Sequence, residues 1–386
     1  MKPFARIVAI AVTILLISGC SLFGEKDPER DPLDLVDFDS AVRVEQLWST
    51  SVGAGVGRSA PALKPYFADG RIWTADYKGR IEAVDAQSGR RLKLFDTEFE
   101  LSAGPAVFGN RVMVGTFNGQ IVVLDRESGE VQWRAQLSSE ILAAPELRDG
   151  IIMVRCIDGR VFGLNAETGI RLWVYDRSVP LLTLRGNSPL STRAGQLFVG
   201  HDDGTVTALR QSDGNLLWEQ RVSVPEGRTQ LDRLADIDGP MAIVGLDLYS
   251  VSRHGRVASL ALDSGRLLWS KELASHSGLT VSRTQLALAD TSDKVWVLDR
   301  RSGGTLWEND QLLRRKLSRP VFHGDFVVVA DVEGYLHWMD SNSGEFAARK
   351  RASGNPPAAA PLVVGDTLYL LDNNGKLSAW RLGAAS

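Results

Sequence analysis

Hydrophobic positions along the chain fall in short runs rather than helical stripes. Val112-Met113-Val114 and Ile151-Ile152-Met153-Val154 are apolar at consecutive positions, as central strands covered on both faces are. Gln120-Ile121-Val122-Val123-Leu124 is a β-rich run, and Val131-Gln132-Trp133 opens another strand beyond the turn that follows. Asn118-Gly119 and Asp158-Gly159 separate such runs. These pairs suit two-residue hairpin turns, because Asn and Gly tolerate positive φ. No segment has a convincing 3.6-residue period. The pattern predicts an all-β chain of short antiparallel strands.

The turns recur. A first landmark, a glycine or its equivalent, stands at Gly79, Gly119, Gly159, Gly204, Gly255, Asp293, Gly334 and Gly375. A second glycine follows ten positions later, at Gly89, Gly129, Gly169, Gly214, Gly265, Gly303 and Gly344. Four positions further on stand Trp133, Trp173, Trp218, Trp269 and Trp307, with Lys93 and Ala348 in that slot of the first and seventh copies. Four strands per copy in eight copies predict an eight-bladed β-propeller. The eighth copy has Gly375 and a strand at residues 376–380 but no fourth strand. Near the start, Val44-Glu45-Gln46-Leu47-Trp48-Ser49 is a spare outer strand with Trp48 where the repeat wants it. It is expected to complete the last blade and leave no fully open edge.

Residues 1–19 lie outside this pattern. Lys2 and Arg6 precede an apolar stretch over residues 7–17, too short to span a bilayer, and Ile17-Ser18-Gly19-Cys20 follows. That is the order of a signal peptide. Small residues just before a cysteine resemble the bacterial lipobox, which implies diacylation of the Cys20 thiol, cleavage before Cys20 and acylation of the new amine. Three acyl chains anchor firmly where one does not. Ser21 as the second mature residue implies, in the enteric sorting scheme, the outer membrane. Residues 20–40 hold Pro28, Pro32 and the acids Glu25, Asp27, Glu29, Asp31, Asp34, Asp37 and Asp39. This composition predicts a solvated, extended linker, with the propeller over residues 41–386.

Composition adds little beyond that. The 37 glycines and 10 tryptophans suit many turns with an aromatic to bury, and a net charge of −3 gives no basic field for nucleic acid. Cys156, in the apolar residues 151–157, reads as a buried, inert thiol.

Catalytic patterns are missing. The chain has no G-x-x-x-x-G-K-[ST], H-E-x-x-H or G-x-S-x-G. His201, His254, His276, His323 and His337 are scattered, with no pair at metal-ligand spacing. Gly53-Ala54-Gly55-Val56-Gly57 does not sit between a strand and a helix and reads as a flexible lead-in to blade one. Asp85, Asp125, Asn165, Asp299 and Asp340 share one slot before the second turn, which points to side chains capping turn backbone. No catalytic, cofactor-binding or metal-binding residue is assigned.

Ala83-Val84-Asp85-Ala86-Gln87-Ser88-Gly89 and the segment from Leu124 to Trp133 resemble the tryptophan-docking repeat of quinoprotein dehydrogenases. In those eight-bladed enzymes each tryptophan locks neighbouring blades. That resemblance raises one rival, a pyrroloquinoline-quinone-dependent periplasmic dehydrogenase; the adjacent cysteines of its alcohol-dehydrogenase branch are absent here. A more specific resemblance is to the BamB family of outer-membrane assembly factors. It rests on Gly19-Cys20-Ser21-Leu22-Phe23, Trp48-Ser49-Thr50-Ser51-Val52-Gly53 and Leu182-Thr183-Leu184-Arg185-Gly186. It rests also on Asp232-Arg233-Leu234-Ala235-Asp236-Ile237-Asp238 and Gly334-Tyr335-Leu336-His337-Trp338. It implies a non-enzymatic lipoprotein of the β-barrel assembly machine, lipid-anchored on the periplasmic face of the outer membrane. Such a protein binds the POTRA domains of BamA, contacts the other assembly lipoproteins indirectly, and assists insertion of nascent outer-membrane proteins.

The spacing of the repeat points to a docking place. Successive first landmarks lie 40, 40, 45, 51, 38, 41 and 41 apart. The excess falls after Trp173 and Trp218, in connections 178–188 and 223–239, which leave neighbouring blades on one face and are expected to flank each other. Leu181, Leu182 and Leu184 beside Arg185 are the apolar-plus-arginine chemistry of interface centres. Asp232, Arg233, Asp236 and Asp238 can orient a partner. Carried over from the family, the partner contacts fall on Leu182, Leu184, Arg185, Asp236 and Asp238. The basic groups Arg314-Arg315-Lys316 with Arg319, and Arg349-Lys350-Arg351, are expected to be solvated or to meet an acidic partner or lipid headgroups.

Overall fold

The computed structural model describes residues 31–57, 62–177, 188–223, 236–237, 239–253 and 255–383. These form eight four-stranded antiparallel sheets, the blades of an eight-bladed β-propeller. In blade two, Leu101–Phe108, Arg111–Thr116, Gln120–Asp125 and Val131–Gln136 follow one another outward. The short strand Ala62–Leu63 adds in parallel to its inner edge. Middle strands are buried on both faces, so Val112 to Val114 and Ile121 to Leu124 exclude water completely. The core is a series of layers between blades. Trp73 and Ile81 of blade one pack with Val112 and Val122 of blade two, and Met113 and Ile121 pack with Ile152 and Val154 of blade three.

The ring closes as the repeat requires. Val44–Ser51 pairs antiparallel with Lys376–Leu382, from Val44 opposite Leu382 to Ser51 opposite Lys376, and becomes the outer strand of blade eight. Each outer strand shifts register just before the tryptophan slot. Such a bulge bends the strand and re-aims the side chain after it. The indole then crosses to the next blade. Trp173 Nε1 donates to the Gln211 carbonyl at 3.1 Å and Trp218 Nε1 to the Leu262 carbonyl at 3.1 Å. Trp48, Trp133, Trp269 and Trp307 make the same bond to Ala86, Ala166, Arg300 and Ser341. The ring lies on the second-landmark glycine of that next blade: a Cβ on Gly214 would stand 2.6 Å from Trp173, and one on Gly265 2.4 Å from Trp218. The repeat therefore needs tryptophan and glycine together. In blade one, where Lys93 fills the slot, Phe95 covers Gly129 instead.

The shared acidic slot caps turns. Asp85 Oδ1 accepts from the Ser88 hydroxyl and backbone at 2.7 and 2.8 Å. Asp125, Asn165, Asp299 and Asp340 accept from the second and third backbone N–H groups beyond them. Hydrogen bonds from Ser88, Ser128 and Ser302 hold the Asp85, Asp125 and Asp299 carboxyls below the usual range. Cys156 is fully buried, and burial pushes its thiol up to about 11.

Two expectations need correction. The glycine-rich segment at 53–57 leads into blade one but is fixed in place. Gly53 N donates to Glu82 Oε1 and Ala54 N to Asp76 Oδ2, both at 2.8 Å. Gly55, at φ +80°, lies where a Cβ would meet the Asn373 carbonyl at 1.9 Å. Residues 31–40 are extended but not simply solvated; they lie along blades six and seven. Leu33 N donates to the Leu313 carbonyl at 3.1 Å, Leu35 packs into the layer between those blades, and Phe38 stacks on Phe346 at 5.2 Å.

Candidate partner-docking face

The two long connections run between an outer strand and the inner strand of the next blade: Arg171–Tyr175 to Ser191–Arg193, and Leu216–Arg221 to Ala242–Val244. Of the residues expected to carry function, Cys20, Leu182, Leu184, Arg185 and Asp238 lie outside the described residues, as do Leu181, Asp232 and Arg233. The ends of both connections are described, and they meet. Ser188 Oγ donates to the Gly239 carbonyl at 3.1 Å, and Ser191 Oγ to the Met241 carbonyl at 3.4 Å.

Asp236 is placed differently from an exposed contact. It is fully buried, and its carbonyl accepts from Arg253 N at 2.9 Å. Beside it Ile237 N donates to the His201 carbonyl at 3.2 Å. The Ile237 side chain fills the space over Gly200, where a Cβ would come within 2.6 Å of it, and joins the apolar layer between blades four and five. The second connection is thus pinned into the core part-way along its length.

A charged web lies beneath these ends. Arg155, only 2% exposed in its side chain, pairs with Asp202 at 3.5 Å and donates to the Ser188 carbonyl at 3.3 Å. Burial raises the Asp202 carboxyl to about 6; Asp236 and Asp203 push the same way and Arg155 opposes. Arg177 pairs with Asp203 at 2.7 Å and with Glu219. His201 Nε2 is bonded to Thr207 Oγ1 at 2.8 Å, and burial holds the ring neutral, well below its usual value. Arg155 had a sequence signal, as a cation inside the apolar run 151–157. A buried cation in a central strand needs a partner, and here that partner is the foot of a connection.

The basic groups are mostly occupied. Arg315 is buried, bonded to Asp331 Oδ2 at 2.7 Å and paired with Glu333, and its Nη1 donates to the Leu33 carbonyl at 2.7 Å. Arg314 Nε donates to the Asp31 carbonyl at 2.9 Å and Arg349 Nη1 to the Val36 carbonyl at 2.8 Å. The expected solvated cations are therefore the cradle for the N-terminal segment. Lys316, Lys350 and Arg351 stay exposed. On the ring's rim, Leu172, Leu216, Leu267 and Leu306 of four successive outer strands remain 43–52% exposed.

Comparison with known proteins agrees with this architecture. A family model described as outer membrane protein assembly factor BamB matches residues 77–309 and 292–385. A relative from Alkalilimnicola ehrlichii named outer membrane protein assembly factor BamB is 46% identical over 377 residues, covering 97% of this chain and 96% of its own. The crystal structure of BamB from Moraxella catarrhalis superimposes with a TM-score of 0.80 at 25% identity, over 88% of this chain and all of that one. The quinohemoprotein alcohol dehydrogenase ADHIIG from Pseudomonas putida HK5 superimposes with a TM-score of 0.72 at 14% identity, over 90% of this chain and 77% of that one. At that identity the dehydrogenase shares the fold alone.

Proposed function

This chain belongs to the outer membrane protein assembly factor BamB family, and from that premise we propose that it is a non-enzymatic adaptor of the outer-membrane β-barrel assembly machine. Acylated Cys20 holds it on the periplasmic face of the outer membrane. The ring docks through connections 178–188 and 223–239 to the POTRA domains of a BamA-type subunit. Leu182, Leu184 and Arg185 serve as anchors and Asp238 orients the partner. Asp236, buried beneath, fixes the connection that presents them.

The observation that carries this reading is the hydrogen bond from Ser188 to Gly239 at 3.1 Å. It sets the described ends of both stretched connections side by side, which supports a docking surface shared by two blades. The exposed leucines of the outer strands suit a second contact, in which an unfolded client strand adds to a blade edge.

The test is a pull-down of the lipidated protein from detergent-solubilised membranes. Wild type should recover a large β-barrel protein. Leu184→Ala combined with Arg185→Ala should lose it while keeping a native circular dichroism spectrum, since truncating interface anchors costs about 2 kcal/mol or more each. Recovery of the barrel protein by the folded double mutant overturns the docking face.

A further inference from the structure

A cavity of about 470 Å³ opens among the connections that enter blades one, five, six, seven and eight. Its chemistry is uneven. Lys64, Lys316 and Arg319 line it together with His276, Ser277 and Ser318, and no carboxylate is among its described lining residues. Pro357 to Pro361, three alanines between two prolines, complete the lining with Pro65, Pro240, Leu317 and Leu362. Among the described residues, the Lys64 ammonium and the Arg319 guanidinium have no hydrogen-bond or ion-pair partner, in contrast to Arg314, Arg315 and Arg349.

Lys64 is exposed at the cavity and Arg319 is half-buried, so two like charges share one concave site with no carboxylate in its described lining to offset them, which is unfavourable. The surrounding protein, with Arg319 beside it, lowers the Lys64 ammonium to about 8. Burial also lowers the Arg319 guanidinium. The Arg319 stem passes beside Gly278, where a Cβ would stand 3.4 Å from its Cδ. Two like-charged donors without a partner, the unpartnered buried Ser277 hydroxyl and an apolar stretch of lining form a receptor lacking the negative charge. We propose that this cavity binds a small multivalent oxyanion, a phosphate or carboxylate compound, bridged between Lys64 and Arg319. Charge-assisted bonds to such groups are the strong class of hydrogen bond. The site stands apart from the partner reading and does not depend on it.

The experiment titrates the full lipidated protein in detergent with sodium citrate and, separately, sodium pyrophosphate, by calorimetry at ionic strength balanced with sodium chloride. A saturable one-site isotherm with either probe is expected, and the better probe assigns the oxyanion. Lys64→Met and Arg319→Gln should each weaken binding at least about tenfold; Lys350→Met, on an exposed outer strand, should bind like wild type. Near pH 8 binding should take up a proton at Lys64, so the measured heat should vary with the buffer's ionisation enthalpy, and that dependence should vanish in Lys64→Met. Without anion, Lys64→Met should melt no lower than wild type, which separates loss of binding from loss of fold. Failure of both probes to saturate, or wild-type affinity in both cavity variants, overturns the proposal.

Discussion

Around most of the ring, the outer strand of one blade lays an indole on the turn glycine of the next; between blades one and two Phe95 takes its place, and between blades seven and eight the slot holds only Ala348. The difference follows from what the indole needs. Trp218 finds a closed turn with a free carbonyl and no side chain at Gly265. Blade eight has no such turn, because its third strand ends at Leu382 and its fourth begins at Val44, and the two ends meet through Gly383 N on the Arg43 carbonyl at 2.7 Å. Ala348 is 1% exposed among Trp338, Trp380 and Val44, so this joint is filled by core side chains. The arriving chain then covers it. Ala41 and Val42 donate to the Ala347 carbonyl at 2.9 and 3.3 Å, and Phe38 stacks on Phe346 one residue earlier. Residues 31–42 thus staple this joint.

The largest expected effect tests the indole joints. Trp218→Ala removes a mostly buried ring and its hydrogen bond and should cost about 3–5 kcal/mol, read as a lower midpoint in urea. The reciprocal change should not help. Ala348→Trp overpacks a filled layer and should cost about 1–3 kcal/mol. A stabilised Ala348→Trp protein would erase the distinction between the two kinds of joint.

A smaller effect tests the staple. Phe38→Ala removes the half-buried ring that stacks on Phe346 and also lies under the Arg349 guanidinium at 4.9 Å. It should cost about 1–2 kcal/mol and expose residues 31–40 to proteolytic nicking well before the ring unfolds. Unchanged stability and unchanged cleavage would show that the segment does not staple the ring.

These particulars show what could be read from the chain and what could not. Ring closure by Trp48 was legible, because turn glycines and tryptophans keep fixed offsets and the spare strand had one vacant place. The exception at Ala348 was visible as a gap, but its cause, a turn replaced by two chain ends, belongs to the assembled ring. Docking of residues 31–40 was hidden by composition. Prolines and acids read as solvated chain, whereas the contacts use backbone carbonyls of Asp31, Leu33 and Val36, which every residue possesses. Asp236 reads as a surface acid among other acids, and only the placement of Ile237 beside it carries the connection inward. The cavity escapes notice for a related reason: Arg319 reads as one of a basic group, and Lys64 lies on a connection 255 positions away in the chain.

The smallest effect separates the joints by pH. The tryptophan–glycine contacts contain no titrating group, whereas blade seven rests its outer strand on one. His337 is buried, with Nε2 on Asp331 Oδ2 at 2.9 Å and Nδ1 accepting from Arg349 Nε at 3.1 Å. Arg315 holds the other side of Asp331, and Glu333 and the Tyr335 and Phe346 rings lie close. Burial lowers the His337 value below 6.5; Arg349 and Arg315 add to this and Asp331 opposes it. Burial alone would raise Asp331, but His337 and Arg315 bring it below its usual range, so it stays ionised while His337 titrates. Unfolded, His337 takes a proton near pH 6.5, and folded it does so only at lower pH. Stability from this group is therefore present above about pH 6.5 and falls as pH drops toward the folded value, at up to about 1.4 kcal/mol per pH unit. His201 and His323, also lowered by burial, add to the slope in the same window. His337→Gln should flatten the stability profile between about pH 6.5 and 5 by one proton's worth, measured by urea unfolding at each pH. Protonation in wild type should also loosen Arg349 from the Val36 carbonyl, so residues 31–40 should become protease-sensitive in that window before any tryptophan joint opens. An unchanged slope in the variant, with the segment still protected in acid, would place the titrating groups elsewhere in the ring.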